Sequence, residues 1–284
     1  MTEKYLGNKT KKKRQHYVPI FYLDNFTNEN GTFWIHDKDN GRSFESNPNN
    51  VCSENYLYEF ESNDCVFSNG KHILPNSIEN KFAELEGDWS KLIQTVLKRL
   101  SIQTNPQALI IRKDEREQLY DLINNLLIRN PRIMELFLSD EQIYESIGDC
   151  SDFEVLNEIF KTYKFGSTAG FKKSIIKNLY FDKNKGLSYI ENFEKMSFVF
   201  LKSCEGDFIT SDFPIIMDID FENGEFKTLY FPISTKYAIN FFREKTRDRN
   251  QIRMINNEQV EDLNNYVYNY KFNRFIISKE KIHL

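Results

Sequence analysis

The sequence has few of the residues that build metal sites. It contains four cysteines and four histidines among 284 residues. The cysteines are scattered, and no two of them form a Cys-x-x-Cys pair. Structural zinc sites take four such ligands, usually at short spacing. The composition therefore argues against a structural zinc site, and we expect no resident cofactor.

Long apolar runs and a strong net charge are also missing. No stretch approaches the roughly 18 apolar residues of a membrane helix, and the N-terminus lacks the apolar segment of a signal peptide. The net charge is only −4, so nucleic acid would have to bind at a local patch rather than through an overall field. These absences predict a cytoplasmic protein with reduced thiols and no membrane partner.

Several catalytic signatures are absent as well, whereas aromatic residues are abundant. The chain has no Gly-x-Ser-x-Gly elbow, no P-loop and no dinucleotide-binding glycine motif. It has 25 Phe and 15 Tyr, with 40% hydrophobic and 28% charged residues. Aromatic side chains fill a core, and they also stack on bases. The composition is typical of a folded globular protein.

The periodicity of the chain changes twice. Residues 1–14 are polar and basic, which predicts a mobile arm. Residues 15–60 show β patterns, followed by helical spacing from about 76 to 180 and by β patterns again from 196. In the first β region the predicted strands are 32–36, 42–44 and 56–60, the first two forming a hairpin.

The central region predicts helices. The strongest covers 76–100, with Asn76 and Glu79 as a capping pair and with Phe82, Trp89 and Ile93 on its buried face. Further helices are predicted at 112–128, from Pro131 onward, and near 141–148, 152–163 and 170–179. After residue 196 we predict strands at 197–201, 208–210, 214–217 and 237–241, a hairpin about 222–224, a helix near 257–270 and a last strand at 274–277.

This order predicts an α+β fold. The N- and C-terminal β segments are expected to share one sheet, with the central helical region packed against it. Beyond the arm, residues 15–284 are expected to form a single domain, with a helical subdomain at about 76–180.

Two polar motifs and one weaker pattern carry a family resemblance. The first is Gln15–Phe26 (QHYVPIFYLDNF), directly after the basic run Lys11–Arg14. The second is Phe208–Pro214 (FITSDFP), and the weaker pattern runs from Asn264 to Phe275. Together they resemble the bacterial QHYVP family, a domain of unknown function numbered 4238. The chain departs from the family's ending at Asn273, where a small residue is usual.

Each motif has a structural and a chemical interpretation. His16 is either a core histidine fixed by a backbone partner or a proton shuttle, since its ordinary pKa is about 6.5. Ser211 and Asp212 either close a turn by bonding their own backbone, or Asp212 projects into a cleft while Thr210 or Ser211 binds a phosphate.

The chemical interpretation predicts a metal-independent nuclease. In it His16 transfers a proton, Tyr17 orients or donates, and Asp212 holds the imidazole in one tautomer. Cations would stabilise the charge on phosphorus. The expected substrate-binding residues are Arg14, Gln15, Thr210, Ser211 and Arg274. Metal catalysis at Asp212 is left open, but it would need further carboxylates such as Asp218 or Asp220 and is favoured less.

The expected partner is therefore RNA or DNA. Analogy with other families of this kind suggests an effector in defence against phage or mobile elements. The alternative is a non-catalytic module that binds nucleic acid or protein, in which the two motifs only join the β segments. The sequence alone leaves both open.

Overall fold

The structure is a computed structural model, and it describes residues 13–59, 76–106, 109–132, 193–220, 225–243 and 251–282. Most of the arm 1–14, the helices expected near 141–148, 152–163 and 170–179, and the tip of the hairpin about 222–224 lie outside these residues. The helix expected from Pro131 lies outside them beyond residue 132.

The described chain contains four α-helices and eleven strands. The helices are α1 (Ile20–Leu23), α2 (Ser77–Ile102), α3 (Lys113–Ile128) and α4 (Asn257–Asn269). The first strands are β1 (Arg14–His16), β2 (Phe33–Asp37), β3 (Arg42–Ser46) and β4 (Ser53–Asn55). The others are β5 (Ser197–Ser203), β6 (Thr210–Ser211), β7 (Ile216–Asp220), β8 (Glu225–Pro232), β9 (Tyr237–Phe242), β10 (Gln251–Ile255) and β11 (Phe275–Ser278). Short 3₁₀ turns cover Asp24–Phe26 and Pro48–Asn50.

The chain divides into two compact units. The smaller unit includes residues 13–15, 53–59, 76–84 and 131–132. In it, the buried side chain of Gln15 donates from Nε2 to Glu59 Oε1 (2.8 Å) and accepts at Oε1 from the amide of Tyr58 (2.6 Å). The prediction of a strand at 56–60 was wrong for residues 56–59, which the structure describes. A turn forms there, and Gln15 accepts a hydrogen bond from the amide of Tyr58.

The larger unit includes residues 16–52, 85–106, 109–130 and all described residues from 193 onward. It contains a five-stranded sheet in the order β10-β5-β9-β8-β7. Successive side chains of a strand point to opposite faces, and in β5 Phe198 and Phe200 alternate with Val199 and Leu201, all buried. A strand buried on both faces therefore explains the continuous apolar run.

Helices cover the two faces of this sheet. On one face, Tyr120 of α3 lies 6.4 Å from Phe241 of β9, between ring centroids. On the other, Val199 of β5 shares a buried cluster with Val260 and Val267 of α4. The helical spacing of α4 is thus explained by the apolar face that it presents to the sheet.

The second sheet of this unit joins distant parts of the chain. Its order is β3-β2-β11-β6, and every neighbouring pair is antiparallel. The β2–β3 hairpin from the N-terminal region pairs with β11, so that Asp37 lies opposite Phe275. Strand β6 pairs on the other side, with Ser211 opposite Ile276. The predicted α+β fold with a shared sheet is confirmed, and the five-stranded sheet is an additional one.

The central helices follow the prediction closely. Helix α2 covers Ser77–Ile102, and Phe82, Trp89 and Ile93 are all buried. Helix α3 covers Lys113–Ile128, as the spacing indicates. The predicted strands at 208–210 and 214–217 are displaced to β6 and β7. Strand β10 was not predicted at all, and it pairs in parallel with β5.

Candidate functional site

The first motif lies directly against the second. The hydroxyl of Tyr22 donates to the carbonyl oxygen of Pro232 (2.7 Å) and lies 2.7 Å from Thr210 Oγ1. Because that hydroxyl has a single proton, which Pro232 receives, Thr210 is the donor to Tyr22. This contact confirms the prediction that residues 15–24 lie beside residues 208–214.

Two consecutive residues after α3 also contact both motifs. The guanidinium of Arg129 donates from Nη2 to the carbonyl oxygen of His16. The side chain of Asn130 donates from Nδ2 to the carbonyl oxygen of Asp212 (2.8 Å). Arg129 and Asn130 are each 1% exposed. The dipeptide Arg129–Asn130 therefore bonds both His16 and Asp212, which lie far apart in the sequence.

The imidazole of His16 is half-buried and electrostatically perturbed. Burial, and then the positive charge of Arg129, lower its pKa below the usual value, while Glu86 and hydrogen bonds to the backbone of Pro48 and Asn49 oppose them. The ring is thus neutral at pH 7. Its Nε2 is buried without a hydrogen-bond partner. The backbone bonds thus leave Nε2 out, and this nitrogen takes no part in a hydrogen bond.

Tyr17 faces a cysteine that sequence reasoning overlooked. Its hydroxyl hydrogen-bonds the thiol of Cys52, and its amide donates to the carbonyl oxygen of Cys52 (2.9 Å). Burial, followed by the negative charge of Asp212, raises the pKa of Cys52 well above its usual value, so the thiol stays protonated. Cys52 also has a φ of +52°, in the left-handed region. Tyr17, Cys52 and Asp212 are thus neighbours, although no sequence spacing marks Cys52.

Asp212 binds backbone rather than a ring nitrogen. Its Oδ1 accepts from the amides of Arg274 (2.9 Å) and Phe275 (3.0 Å), and its own amide donates to the carbonyl oxygen of Phe275 (3.0 Å). The side chain is buried, at 3% exposure. These bonds fix the start of β11 against the end of β6. The backbone of Pro48 and Asn49, rather than Asp212, holds the imidazole of His16.

The hydroxyls of Thr210 and Ser211 are buried as well. Ser211 Oγ donates to the carbonyl oxygen of Phe213 (2.7 Å) and accepts from its amide (3.2 Å), which closes a turn. Thr210 bonds Tyr22, as described above. Both residues are 0% exposed. The arrangement matches the turn-closing interpretation and leaves neither hydroxyl open to a phosphate.

The remaining expected binding residues differ in burial and in their partners. Gln15 is buried in the smaller unit, and Arg14 is exposed on β1. Arg274 is partly exposed and pairs through Nη2 with Asp37 Oδ2 (3.2 Å) and through Nε with Asp39 Oδ2 (3.1 Å). The guanidinium of Arg274 therefore has two carboxylate partners.

Two absences apply to the described part of the chain. No three or more His, Cys, Asp or Glu side chains there are grouped so that they could hold a metal ion. No helix within those same residues is long and apolar enough to cross a membrane.

The sequence pattern of a family of proteins of unknown function, DUF4238, matches residues 14–281. The chain belongs to this family. The match covers both motifs and every described element of this DUF4238 protein, from β1 to β11. No curated protein and no solved structure matches the chain. Membership confirms the resemblance that the two motifs carry and assigns no activity.

Proposed function

We propose that this DUF4238 protein cleaves RNA or DNA without a metal ion, with His16 as the general base. The observation that supports the proposal is the imidazole of His16, whose pKa is lowered and whose Nε2 has no hydrogen-bond partner. We assign the lone pair of the neutral ring to this Nε2. A general base must be unprotonated before it accepts a proton, and histidine is the side chain that most often does so.

RNA supplies its own nucleophile for this chemistry. The ribose 2′-hydroxyl would give its proton to Nε2 of His16, and its oxygen would bond to phosphorus as the bond to the 5′ oxygen breaks. Water would protonate the leaving oxygen. The products would be a 2′,3′-cyclic phosphate and a 5′-hydroxyl end. Arg14 and the lysines before it in the sequence are the cations proposed to bind phosphate.

Access to the base requires a local movement. Nε2 of His16 is covered, so a substrate hydroxyl can reach it only when neighbouring groups shift. Catalytic hydrogen bonds often become well aligned only in the substrate complex. Tyr17 would orient the site through Cys52 rather than donate directly, because its hydroxyl bonds the thiol.

The second candidate is a non-catalytic module that binds nucleic acid or protein. It is favoured by the burial of Gln15, Thr210, Ser211 and Asp212, whose side chains bond other groups of this chain. In that case both motifs are structural, and the partner binds elsewhere. A role in defence against phage or mobile elements rests on analogy alone.

The test is to incubate the purified protein with total RNA and with plasmid DNA, with and without EDTA. We expect cleavage that EDTA leaves unchanged, and a loss of about 10²–10⁴ in rate for His16→Gln at an unaltered thermal midpoint. His36→Gln is the matched control, because His36 bonds Ser43 of the hairpin and Tyr268 of α4 rather than Arg129.

Three results would contradict the proposal. Cleavage abolished by EDTA would show that a metal ion is required. Loss of stability in His16→Gln, with normal activity in the folded fraction, would make His16 a core residue. Binding of nucleic acid without any cleavage would favour the binding module.

A further inference from the structure

We infer that Arg129 and Asn130 are positioning residues, which hold His16 next to the Asp212 turn and keep a positive charge beside its imidazole. As a role in catalysis, this inference rests on the proposed function. As a statement about the placement and protonation of His16, it rests on the contacts of Arg129 and Asn130 and on the charges that face the ring, and it is tested separately.

The first step is the cost of burying Arg129. Its guanidinium is 1% exposed, and a buried charge is tolerated only when it is paired and hydrogen-bonded. Nη1 meets Glu86 Oε1 at 2.8 Å and Asn125 Oδ1 at 3.2 Å, and Nη2 binds the carbonyl oxygen of His16. The planar fork of arginine lets one side chain bind α2, α3 and the first motif together. Lysine, whose three N–H donors all lie on one nitrogen, cannot reproduce this arrangement.

The second step concerns the charges that face His16. Arg129 after α3 lowers the pKa of the imidazole, and Glu86 on α2 raises it. The 3₁₀ turn at Pro48–Asn50 contributes backbone hydrogen bonds from Pro48 and Asn49, which raise the pKa of the ring. The two side-chain charges thus act in opposite directions on one titrating group, and they are themselves an ion pair. Removing one or the other should move the titration of His16 in opposite directions.

The third step is the connection to the second motif. Asn130 is as buried as Arg129, and its Nδ2 donates to the carbonyl oxygen of Asp212. Because the two residues are adjacent in the chain, a displacement of one motif is transmitted to the other through a single peptide unit. The pair therefore links the backbone of His16 to the backbone of Asp212.

The experiment is an NMR titration of the His16 Cε1–H resonance in the full chain, assigned by its absence in His16→Gln. For Glu86→Gln, which keeps an oxygen to accept from Arg129, we expect the midpoint to fall. For Arg129→Gln we expect it to rise by about one pH unit, the lower end of what a neighbouring charge causes. Arg129→Lys keeps the charge, so its midpoint should stay near that of the wild type while cleavage falls.

The variants separate the possible outcomes. If the Arg129 variants do not fold, the inference is tested by Glu86→Gln alone. A His16 titration midpoint that rises in this variant, or that stays within titration error, overturns the inference. Shifts in both expected directions without any cleavage by the wild type would reject the proposed function and leave the placement of His16 intact. Cleavage by the wild type with unmoved midpoints would reject the inference alone. Asn130→Ser removes a bond but no charge, and it should leave the midpoint unchanged.

Discussion

The two motifs contact the same dipeptide, Arg129–Asn130, yet they use their polar side chains differently. In the Thr210–Asp212 segment each polar side chain bonds a group of the chain itself. In the Gln15–Tyr17 segment the middle side chain, His16, keeps a ring nitrogen without a partner. Buried polar atoms are nearly always hydrogen-bonded, so an exception calls for an explanation.

Within this one site, the Asp212 segment therefore differs in role from His16. The side chain of Asp212 joins the end of β6 to the start of β11 through the amides of Arg274 and Phe275. His16 is held by its carbonyl oxygen and by the backbone of Pro48 and Asn49, while its Nε2 makes no hydrogen bond. The proposed chemistry therefore depends on His16, and the Asp212 turn supports it. Substitutions in the two segments should accordingly affect stability to different degrees.

The buried face of α2 is where we expect the largest loss of stability, and the losses in the two motifs are compared with it. Trp89 is 2% exposed, and Trp89→Ala should lower the free energy of unfolding by ~3–5 kcal/mol, as large core truncations do. Urea denaturation measures the loss. Lys91→Ala is the control on the same helix, since its side chain is 81% exposed and the expected change is within about 0.5 kcal/mol. A Trp89 loss below about 1 kcal/mol would mean that this face of the helix is not packed.

Truncating Asp212 should come next in size. Asp212→Ala leaves the amides of Arg274 and Phe275 without their acceptor, and we expect a loss of about 2–4 kcal/mol in unfolding free energy. Asp212→Asn retains an acceptor oxygen and should cost less. Asp39→Ala, with a side chain 63% exposed, is the control. A negligible loss of unfolding free energy for Asp212→Ala would mean that Asp212 does not have a structural role. Asp212 would then again be a candidate catalytic residue.

Local patterns made much of the fold predictable. Helical spacing located α2, α3 and α4, and the apolar run of β5 followed from burial on both faces, because these signals depend on neighbouring residues. Strand β10 was missed, since its parallel partner β5 lies far away in the sequence and its own pattern includes the exposed Arg253 and Met254. Sheet order is decided by tertiary packing, which short-range patterns do not record.

The site was predictable in its location and not in its roles. The co-occurrence of two motifs indicated that they meet, and Tyr22 and Thr210 do. The sequence pattern indicated that Arg129 lies on a solvated face, because an arginine at the end of a helix, before Asn130 and Pro131, is typical of a solvated terminus. Its burial depends on Glu86 and Asn125, whose positions only the fold reveals. The bonding of Asp212 to the amides of β11 likewise depends on strand pairing.

The contact between the motifs should have an intermediate effect. Tyr22→Phe removes the hydroxyl that bonds both Pro232 and Thr210, and we expect a loss of about 1–2 kcal/mol in unfolding free energy. Thr210→Val removes the other partner. The double variant should lose less than the sum of the single losses, because the shared bond is counted twice. Additive losses would show that the two hydroxyls are not coupled and that the motifs merely lie near each other.

His16→Gln should have the smallest effect on stability at pH 7, below about 1 kcal/mol, but a distinct dependence on pH. The pKa of His16 is lowered in the folded protein, so between that value and the ordinary ~6.5 the unfolded chain binds more protons. The histidine's contribution to stability is therefore fully present above the unfolded pKa and is lost as pH falls through that window. Urea denaturation of both proteins from pH 8 downward measures this contribution, and the stability of the wild type relative to His16→Gln should decrease over that range.

A relative stability that does not change with pH would mean that folding leaves the titration of His16 unperturbed. The imidazole would then not be held neutral, and the contrast between the motifs would lose its electrostatic basis.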